Sequence, residues 1–86
     1  MDVREKITDV LLEITSMVLQ QDREYLAGHL DLDLITDLKI KSTQYFPIIT
    51  ALEDAFDIEL PFNEFRSVAR TISKAIDYVE KAVNSK

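Results

Sequence analysis

The most informative segment of the chain is Asp37-Leu38-Lys39-Ile40-Lys41-Ser42-Thr43, which runs without a break into an apolar-striped segment from Gln44 to Phe56. A serine therefore stands where an irregular segment is expected to become a helix. The first N–H groups of a helix have no partner within it and carry a partial positive charge. The Ser42 oxygen can cap these groups, or a phosphate on that oxygen can be stabilised by them. From the residues alone, both roles stay open.

The bulk composition indicates one small helical domain. The chain has 86 residues, which is enough for a single small core, so we expect one domain over residues 1–86. Hydrophobic residues make up 47% and charged residues 30% of it, as in an ordinary globular chain. One glycine and two prolines argue against a β fold rich in hairpins, because such a fold needs turn residues at short intervals. An all-α fold is the expectation.

The residue types present exclude several classes of function. The chain has no cysteine and one histidine, His29, so neither a catalytic triad nor a zinc site can be assembled. It also lacks a glycine-rich phosphate loop and the spacing of metal ligands, so we expect neither an enzyme nor a metal protein. No apolar run approaches the ~20 residues of a membrane span, and no signal peptide is present, so we expect a cytoplasmic protein. The net charge of −6 disfavours binding to nucleic acid or to an anionic membrane.

The first half of the chain predicts one long helix followed by a long loop. Asp2 and Glu5 have capping-box spacing, so the helix is expected to begin at Val3 and to continue to about Leu19. Its inward face is predicted from apolar residues at helical spacing, namely Val3, Ile7, Val10, Leu11, Ile14 and Val18. Residues 25–40 have no clean period and predict a loop with at most one helical turn. The leucines of this loop are expected to plug the core, while its aspartates Asp31 and Asp33 are expected to be solvated.

The second helix is predicted from about Ser42 to Phe56, with an inward stripe of Phe46, Ile49, Leu52 and Phe56. Pro47 conflicts with a helix that begins at Ser42, because it would lie at the fifth position and clash with the preceding turn. A start near Gln44 would place Pro47 among the first positions, where the missing N–H costs nothing. We therefore predict that the regular helix begins a residue or two late, or is distorted in its first turns, and that Ser42 is more loop-like than a residue at the start of a regular helix.

Two further helices complete the prediction. Pro61 should end the preceding segment, and a short third helix is expected from Phe62 to Val68 with Phe65 and Val68 inward. Thr71 is a plausible N-cap for the last helix, whose apolar face is formed by Ile72, Ala75, Ile76 and Val79. The sequence thus predicts a small bundle of four helices, one of them short, with a long loop between the first two.

Two stretches of the chain resemble the acyl carrier protein family. The first is Asp37-Leu38-x-x-x-Ser42 followed by Ile48-x-x-Ala51-Leu52-Glu53-Asp54-x-Phe56-Asp57-Ile58-Glu59-Leu60-Pro61. The second is Thr71-Ile72-x-x-Ala75-Ile76-Asp77-Tyr78-Val79, which is similar to the last helix of that family. The likeness covers residues 35–79 and implies the helical bundle that is typical of these carriers.

The resemblance also implies a function. Ser42 would carry a 4′-phosphopantetheine arm that holds acyl groups as thioesters, and the chain would do no chemistry itself. Its partners would be a phosphopantetheinyl transferase and acyl-ACP synthetase, acyltransferase or synthase enzymes, and we expect a monomer. The apolar chain of the cargo would be sheltered by Phe46, Ile49, Leu52, Phe56 and Ile76.

The site departs from the pattern of the family. Lys-Ser-Thr stands where ordinary carriers have Asp-Ser-Leu, and acidic residues remain only at the far end of the helix. We expect partners to recognise Lys39, Lys41, Thr43, Gln44, Glu53 and Asp54. A basic partner adapted to the usual pattern would be repelled by the lysines. The chain is therefore predicted to be a specialised carrier for lipid or secondary-metabolite biosynthesis rather than the general fatty-acid synthase carrier. The alternative is a carrier-like bundle that is no longer modified and acts as a protein-interaction module.

Overall fold

Residues 2–85, the part of the chain that the computed structural model describes, form five α-helices and one 3₁₀ turn. This confirms the prediction of a small all-α bundle. The elements are α1 (Val3–Leu19), α2 (Arg23–Ala27), the 3₁₀ turn (Ser42–Gln44), α3 (Tyr45–Phe56), α4 (Phe62–Val68) and α5 (Ile72–Asn84). The short helix α2 lies near the start of the predicted loop and adds a fifth helix to the four that were expected.

Local signals set both ends of α1 as predicted. The Asp2 carboxylate accepts a hydrogen bond from the Arg4 N–H at 3.3 Å, which satisfies one of the free donors at the helix start. The helix ends where Gln20 adopts a left-handed conformation with φ 55°. Its buried face is Ile7, Leu11, Leu12 and Thr15. The prediction that Val3 points inward is wrong, because this residue lies on the exposed side of the first turn.

The core lies where α3 and α5 both pack on α1. It also takes one side chain from α2, Leu26, and two from the loop before the 3₁₀ turn, Leu34 and Ile40. Leu30 and Leu38 pack partly buried against it, which bears out the prediction that loop leucines plug the core. Burial of apolar area against these helices therefore fixes a segment that has no regular secondary structure of its own.

The inward face of α3 differs from the prediction. Tyr45 is 1% exposed and Phe46 is 54% exposed, so the expectation that Phe46 points inward is wrong. The buried residues of α3 are Tyr45, Ile48, Ile49 and Leu52, at positions i, i+3, i+4 and i+7. The predicted and observed sets both have helical spacing and share Ile49 and Leu52, and packing buries the set that includes Tyr45 rather than the one that includes Phe46.

Contacts at the end of α4 explain this choice. The Tyr45 hydroxyl donates a hydrogen bond to the Ala69 carbonyl at 3.2 Å, and its ring meets the edge of Phe65 with centroids 6.1 Å apart. The bounds of α4 and the burial of Phe65 are as predicted. Val68, however, is 42% exposed, so its predicted inward orientation is wrong.

Candidate functional site

Ser42 lies on the surface as the first residue of the 3₁₀ turn, with exposed Lys41 and Thr43 on either side. Among residues 2–85 its hydroxyl has no hydrogen-bond partner, so Ser42 does not cap the helix. The regular α-helix begins three residues later, at Tyr45, which places Pro47 at its third position. This confirms the prediction of a late helix start. A proline there removes no hydrogen bond, because the first N–H groups of a helix have no partner within it.

Gln44 holds the turn against α1. Its backbone N–H donates to the Lys41 carbonyl at 2.9 Å, and its side-chain Oε1 accepts from the Lys41 N–H at 2.7 Å. Its Nε2 also donates to the carbonyl of Val18, near the end of α1, at 3.3 Å. Gln44 was predicted as a recognition residue, and the structure gives its partly buried side chain these structural contacts.

Ser42 is flanked by two buried anchors. Two residues before it, Ile40 is buried and its N–H donates to the Leu34 carbonyl at 2.8 Å. Three residues after it, Tyr45 is buried against Phe65. The backbone on both sides of the serine is therefore fixed to the core, and the hydroxyl faces solvent between them. Such an oxygen is accessible to a modifying enzyme without unfolding of the chain.

The loop before the turn is tied to the link between α4 and α5 by Asp33. One carboxylate oxygen accepts from the N–H groups of Ile35 at 2.8 Å and Thr36 at 2.9 Å, and the other accepts from Arg70 at 2.9 Å. The backbone bond from Thr36 is the main reason that the pKa of Asp33 is lowered, while desolvation opposes it and Ile35 and Arg70 add to it. The Leu34 N–H also donates to the Arg70 carbonyl at 2.7 Å. The expectation that Asp33 is merely solvated is wrong.

The charges at the site are positive near Ser42 and negative far from it. From position 38 to position 52 the only charged residues are Lys39 and Lys41, and both are exposed. Lys39 has a left-handed backbone with φ 60°, a conformation that is unusual for a residue other than glycine. Of the acidic residues predicted for recognition, Glu53 accepts a hydrogen bond from the Leu60 N–H at 2.9 Å, whereas Asp54 is exposed.

The predicted recognition residues lie in two groups along the chain. Lys39, Lys41 and Thr43 lie beside the serine. Asp54 lies nine residues beyond the start of α3, which is about 14 Å along the axis at 1.5 Å per residue.

A comparison with known proteins identifies the family. No family model matches the chain. It is, however, 30% identical over 71 residues to the acyl carrier protein of Syntrophobacter fumaroxidans (strain DSM 10017 / MPOB). The alignment covers 83% of this chain and 84% of that protein. The chain belongs to the acyl carrier protein family. This relationship supports the prediction that it is a carrier and not an enzyme.

In this carrier, the residues predicted to line an acyl pocket are not all brought together. Ile49, Leu52 and Ile76 lie in the closed core. Phe56 is partly buried with the Lys6 ammonium 5.5 Å from its ring centroid, and Phe46 lies on the surface. Because protein cores are packed as densely as organic crystals, an acyl chain could enter between the core residues only if the helices moved apart.

Sequence reasoning missed the surface contact between Phe46 and Phe62. Their rings stack with centroids 4.4 Å apart and an interplanar angle of 12°, and they join the start of α3 to the start of α4. The signal that could have found it is a second apolar set at helical spacing, Tyr45, Ile48, Ile49 and Leu52, which places Phe46 outside the inward face.

Two negative findings apply to the described part of this carrier. Residues 2–85 contain no cluster of three or more side chains suited to hold a metal ion. No helix within these residues has the length and apolar character needed to cross a bilayer.

Proposed function

We propose that this chain is a specialised acyl carrier protein with a 4′-phosphopantetheine arm in phosphodiester linkage to Ser42. The observation that carries the proposal is the exposed Ser42 hydroxyl, which has no hydrogen-bond partner among residues 2–85 and stands between the buried anchors Ile40 and Tyr45. An attachment site needs an oxygen that a transferase can reach and a backbone that presents it in one position. Both conditions are met at this residue.

The residues around Ser42 suit a phosphodiester. Lys39 and Lys41 are exposed within three residues of the serine, and no carboxylate occurs between positions 38 and 52. A negatively charged phosphodiester is therefore favoured by charge-assisted contacts rather than opposed by nearby acids. When bound, the arm supplies the thiol that holds acyl groups as thioesters, which accounts for carrier function in a chain without cysteine.

The proposed partners are a phosphopantetheinyl transferase, which uses coenzyme A, and an acyltransferase, synthetase or synthase that serves the loaded arm. Lys39, Lys41 and Thr43 beside Ser42 are the proposed recognition residues, with Asp54 and Glu53 at the far end of α3. A partner with the basic surface that suits ordinary acidic carriers would be repelled by the two lysines. This charge pattern favours dedicated partner enzymes over the general fatty-acid synthase.

Ile49, Leu52, Phe56 and Ile76 are the proposed shelter for the apolar part of the cargo. Burial of each methylene group of the cargo would stabilise the loaded form by about 0.8 kcal/mol, which offsets the packing that is lost when the helices separate. Phe46 is left out of this set, because more than half of its surface is exposed.

The test is the intact mass of the purified chain before and after treatment with coenzyme A and a broad-specificity phosphopantetheinyl transferase. We expect a gain of one phosphopantetheine that Ser42→Ala abolishes. Thr43→Ala is the matched control, because it removes the adjacent exposed hydroxyl and should leave the gain intact.

Retained modification of Ser42→Ala would refute the site. Failure of every transferase on a folded sample would favour the second candidate function, an unmodified carrier-like module that binds proteins. That candidate is supported by the exposed aromatic ring of Phe46 beside the site.

A further inference from the structure

An exposed aromatic pair lies beside the proposed attachment site. Phe46 is 54% exposed and stacks on the partly buried Phe62 of α4 at 4.4 Å between centroids. Because the ring of Phe62 supports it from α4, Phe46 is held in place rather than free to move in solvent. A rigid aromatic residue with an exposed face is the type of side chain that most often anchors a protein interface.

The pair extends the site from α3 onto α4. Phe46 lies four residues after Ser42, and Arg66 lies four residues after Phe62. Residues four apart lie on the same side of a helix, so Arg66 stands one turn beyond Phe62 on the exposed side of α4. We give the name basic aromatic surface to the exposed Lys39 and Lys41 beside Ser42, the stacked pair Phe46 and Phe62, and the exposed Arg66 of α4.

The basic aromatic surface has cations without internal partners. Within residues 2–85, the ion pairs involve Arg4, Arg23 and Arg70, and none of them uses Lys39, Lys41 or Arg66.

The nearest carboxylates of the loop are already engaged. Asp33 accepts bonds from Arg70 and from two backbone N–H groups, and Asp37 accepts one from the Asp33 N–H at 2.8 Å. Although the chain has a net charge of −6, its only charged residues from position 38 to position 52 are the exposed Lys39 and Lys41.

We propose that the basic aromatic surface docks the enzymes that act on Ser42 or its arm, and that the facing surface of such an enzyme is acidic around an apolar pocket for the Phe46 ring. This inference rests on the proposed carrier function and adds the chemistry of the partner to it. A carboxylate rim would pair with Lys39, Lys41 and Arg66, and a pocket would desolvate the exposed face of the ring.

Two other occupants fit less well. A second copy of the chain would bring the same three cations face to face, and like charges across an interface repel. An anionic membrane would attract this surface but would be repelled by the rest of a chain that carries a net charge of −6.

The experiment is a charge exchange measured as the dissociation constant. The probes are a phosphopantetheinyl transferase whose carrier-facing surface is basic, and a variant of that transferase in which those basic residues are glutamate. Each is titrated calorimetrically against the Ser42→Ala chain, so that binding is measured without modification and independently of the proposed function. The charge-reversed chain, titrated in the same way, is the Ser42→Ala chain with Lys39→Glu, Lys41→Glu and Arg66→Glu. The matched control is the Ser42→Ala chain with Lys6→Glu, Lys74→Glu and Lys81→Glu, which changes the net charge by the same amount at other positions.

We expect the chain to bind the acidic transferase about tenfold or more tightly than the basic one, and the charge-reversed chain to show the opposite order. The control should keep the order of the original chain, and added salt should reduce the difference in each case. Equal binding of both transferases, tighter binding of the basic one, or no measurable binding to either would overturn the proposal.

The aromatic part is tested with Phe46→Ala against Val68→Ala, which also removes an exposed apolar side chain from the helical surface. Phe46→Ala should weaken binding to the acidic transferase about tenfold, and Val68→Ala should change it less than twofold. An equal effect of the two variants would refute the anchor role of Phe46. A further control tests whether the chain sediments with phosphatidylglycerol vesicles. If it does, and if Phe46→Ala abolishes this sedimentation, the proposal is overturned, because the surface would then bind a lipid membrane. If the mass test on Ser42 fails while the binding order holds, the carrier function and the role in docking modifying enzymes are lost, and what remains is a surface that binds an acidic protein.

Discussion

Replacement of two adjacent aromatic residues by alanine tests the phase of α3. Tyr45 is 1% exposed, whereas Phe46 is 54% exposed. Truncation of a fully buried aromatic side chain costs about 3–5 kcal/mol, and Tyr45→Ala also removes the hydrogen bond to Ala69, worth about 1 kcal/mol. Phe46→Ala loses about half the value of a buried phenylalanine plus its stacking on Phe62, about 2 kcal/mol in total.

The two costs differ enough to be separated by urea denaturation followed by far-ultraviolet circular dichroism. A domain of 86 residues has an unfolding free energy of about 4–13 kcal/mol, so Tyr45→Ala removes a large part of it and Phe46→Ala does not. Tyr45→Phe gives a graded measurement if Tyr45→Ala is unfolded in water, because it should lose only about 1 kcal/mol. The comparison is valid while the denaturant slopes stay equal.

A larger loss from Phe46→Ala than from Tyr45→Ala would show that Phe46 is the buried residue. The sequence-based phase of the helix would then be right. In that case the basic aromatic surface would lose its anchor.

Three further predictions concern the backbone and the titration of single groups. Lys39→Gly should be more stable than Lys39→Ala by about 1 kcal/mol in thermal or urea denaturation, because only glycine adopts φ 60° without a steric cost. The reverse order of stability would argue against the left-handed conformation of residue 39. Desolvation raises the pKa of Tyr78 to about 12, and its hydrogen bond to Glu64 adds to this, so between pH 10.0 and about pH 12 the folded chain keeps a proton that the unfolded chain loses. The free energy of unfolding should therefore fall over this pH range, and it should fall less in Tyr78→Phe. A titration of tyrosinate absorbance that shows no step near pH 12 would contradict this prediction. The pKa of Asp33 is lowered by its backbone hydrogen bonds and by Arg70. The ionised carboxylate therefore stabilises the fold above its unfolded pKa, and this stabilisation is lost as the pH falls through the folded pKa. Asp33→Asn should reduce the slope of unfolding free energy against pH below about pH 4, and an unchanged slope would count against the hydrogen bonds of Asp33.

The sequence could predict the elements that have strong local signals. The N-cap at Asp2 and the start of α1 follow from residues within one turn of each other. Thr71 accepts from the Lys74 N–H at 3.0 Å and begins α5 as predicted. Pro61 precedes α4 as expected, and Pro47 was sufficient to predict the late start of α3. Each of these depends on neighbours in the chain, so the sequence carries the full information.

The short helix α2 could not be predicted in the same way. It has five residues, which is too few for a hydrophobic period, and its isolated helix would be unstable in water. The Asp22 carboxylate caps its start by accepting from the Glu24 N–H at 3.4 Å, and Leu26 is fully buried, so a local cap and contact with the core together stabilise the segment. The polar residues 20–24 predicted the end of α1, and one short helical turn was allowed within residues 25–40, but the start of a helix at Arg23 was not predicted.

Local signals along the chain were thus sufficient to predict the class of fold, the ends of the capped helices and the position of Ser42 at a turn. Packing between distant segments sets which face of α3 is buried and how the serine is held. Asp33 meets Arg70 across 37 positions of the chain, and Gln44 meets the Val18 carbonyl across 26. No local pattern encodes such pairs, because they form only when the apolar faces of separate helices pack together. The same packing buries Tyr45 and leaves Phe46 on the surface beside the serine.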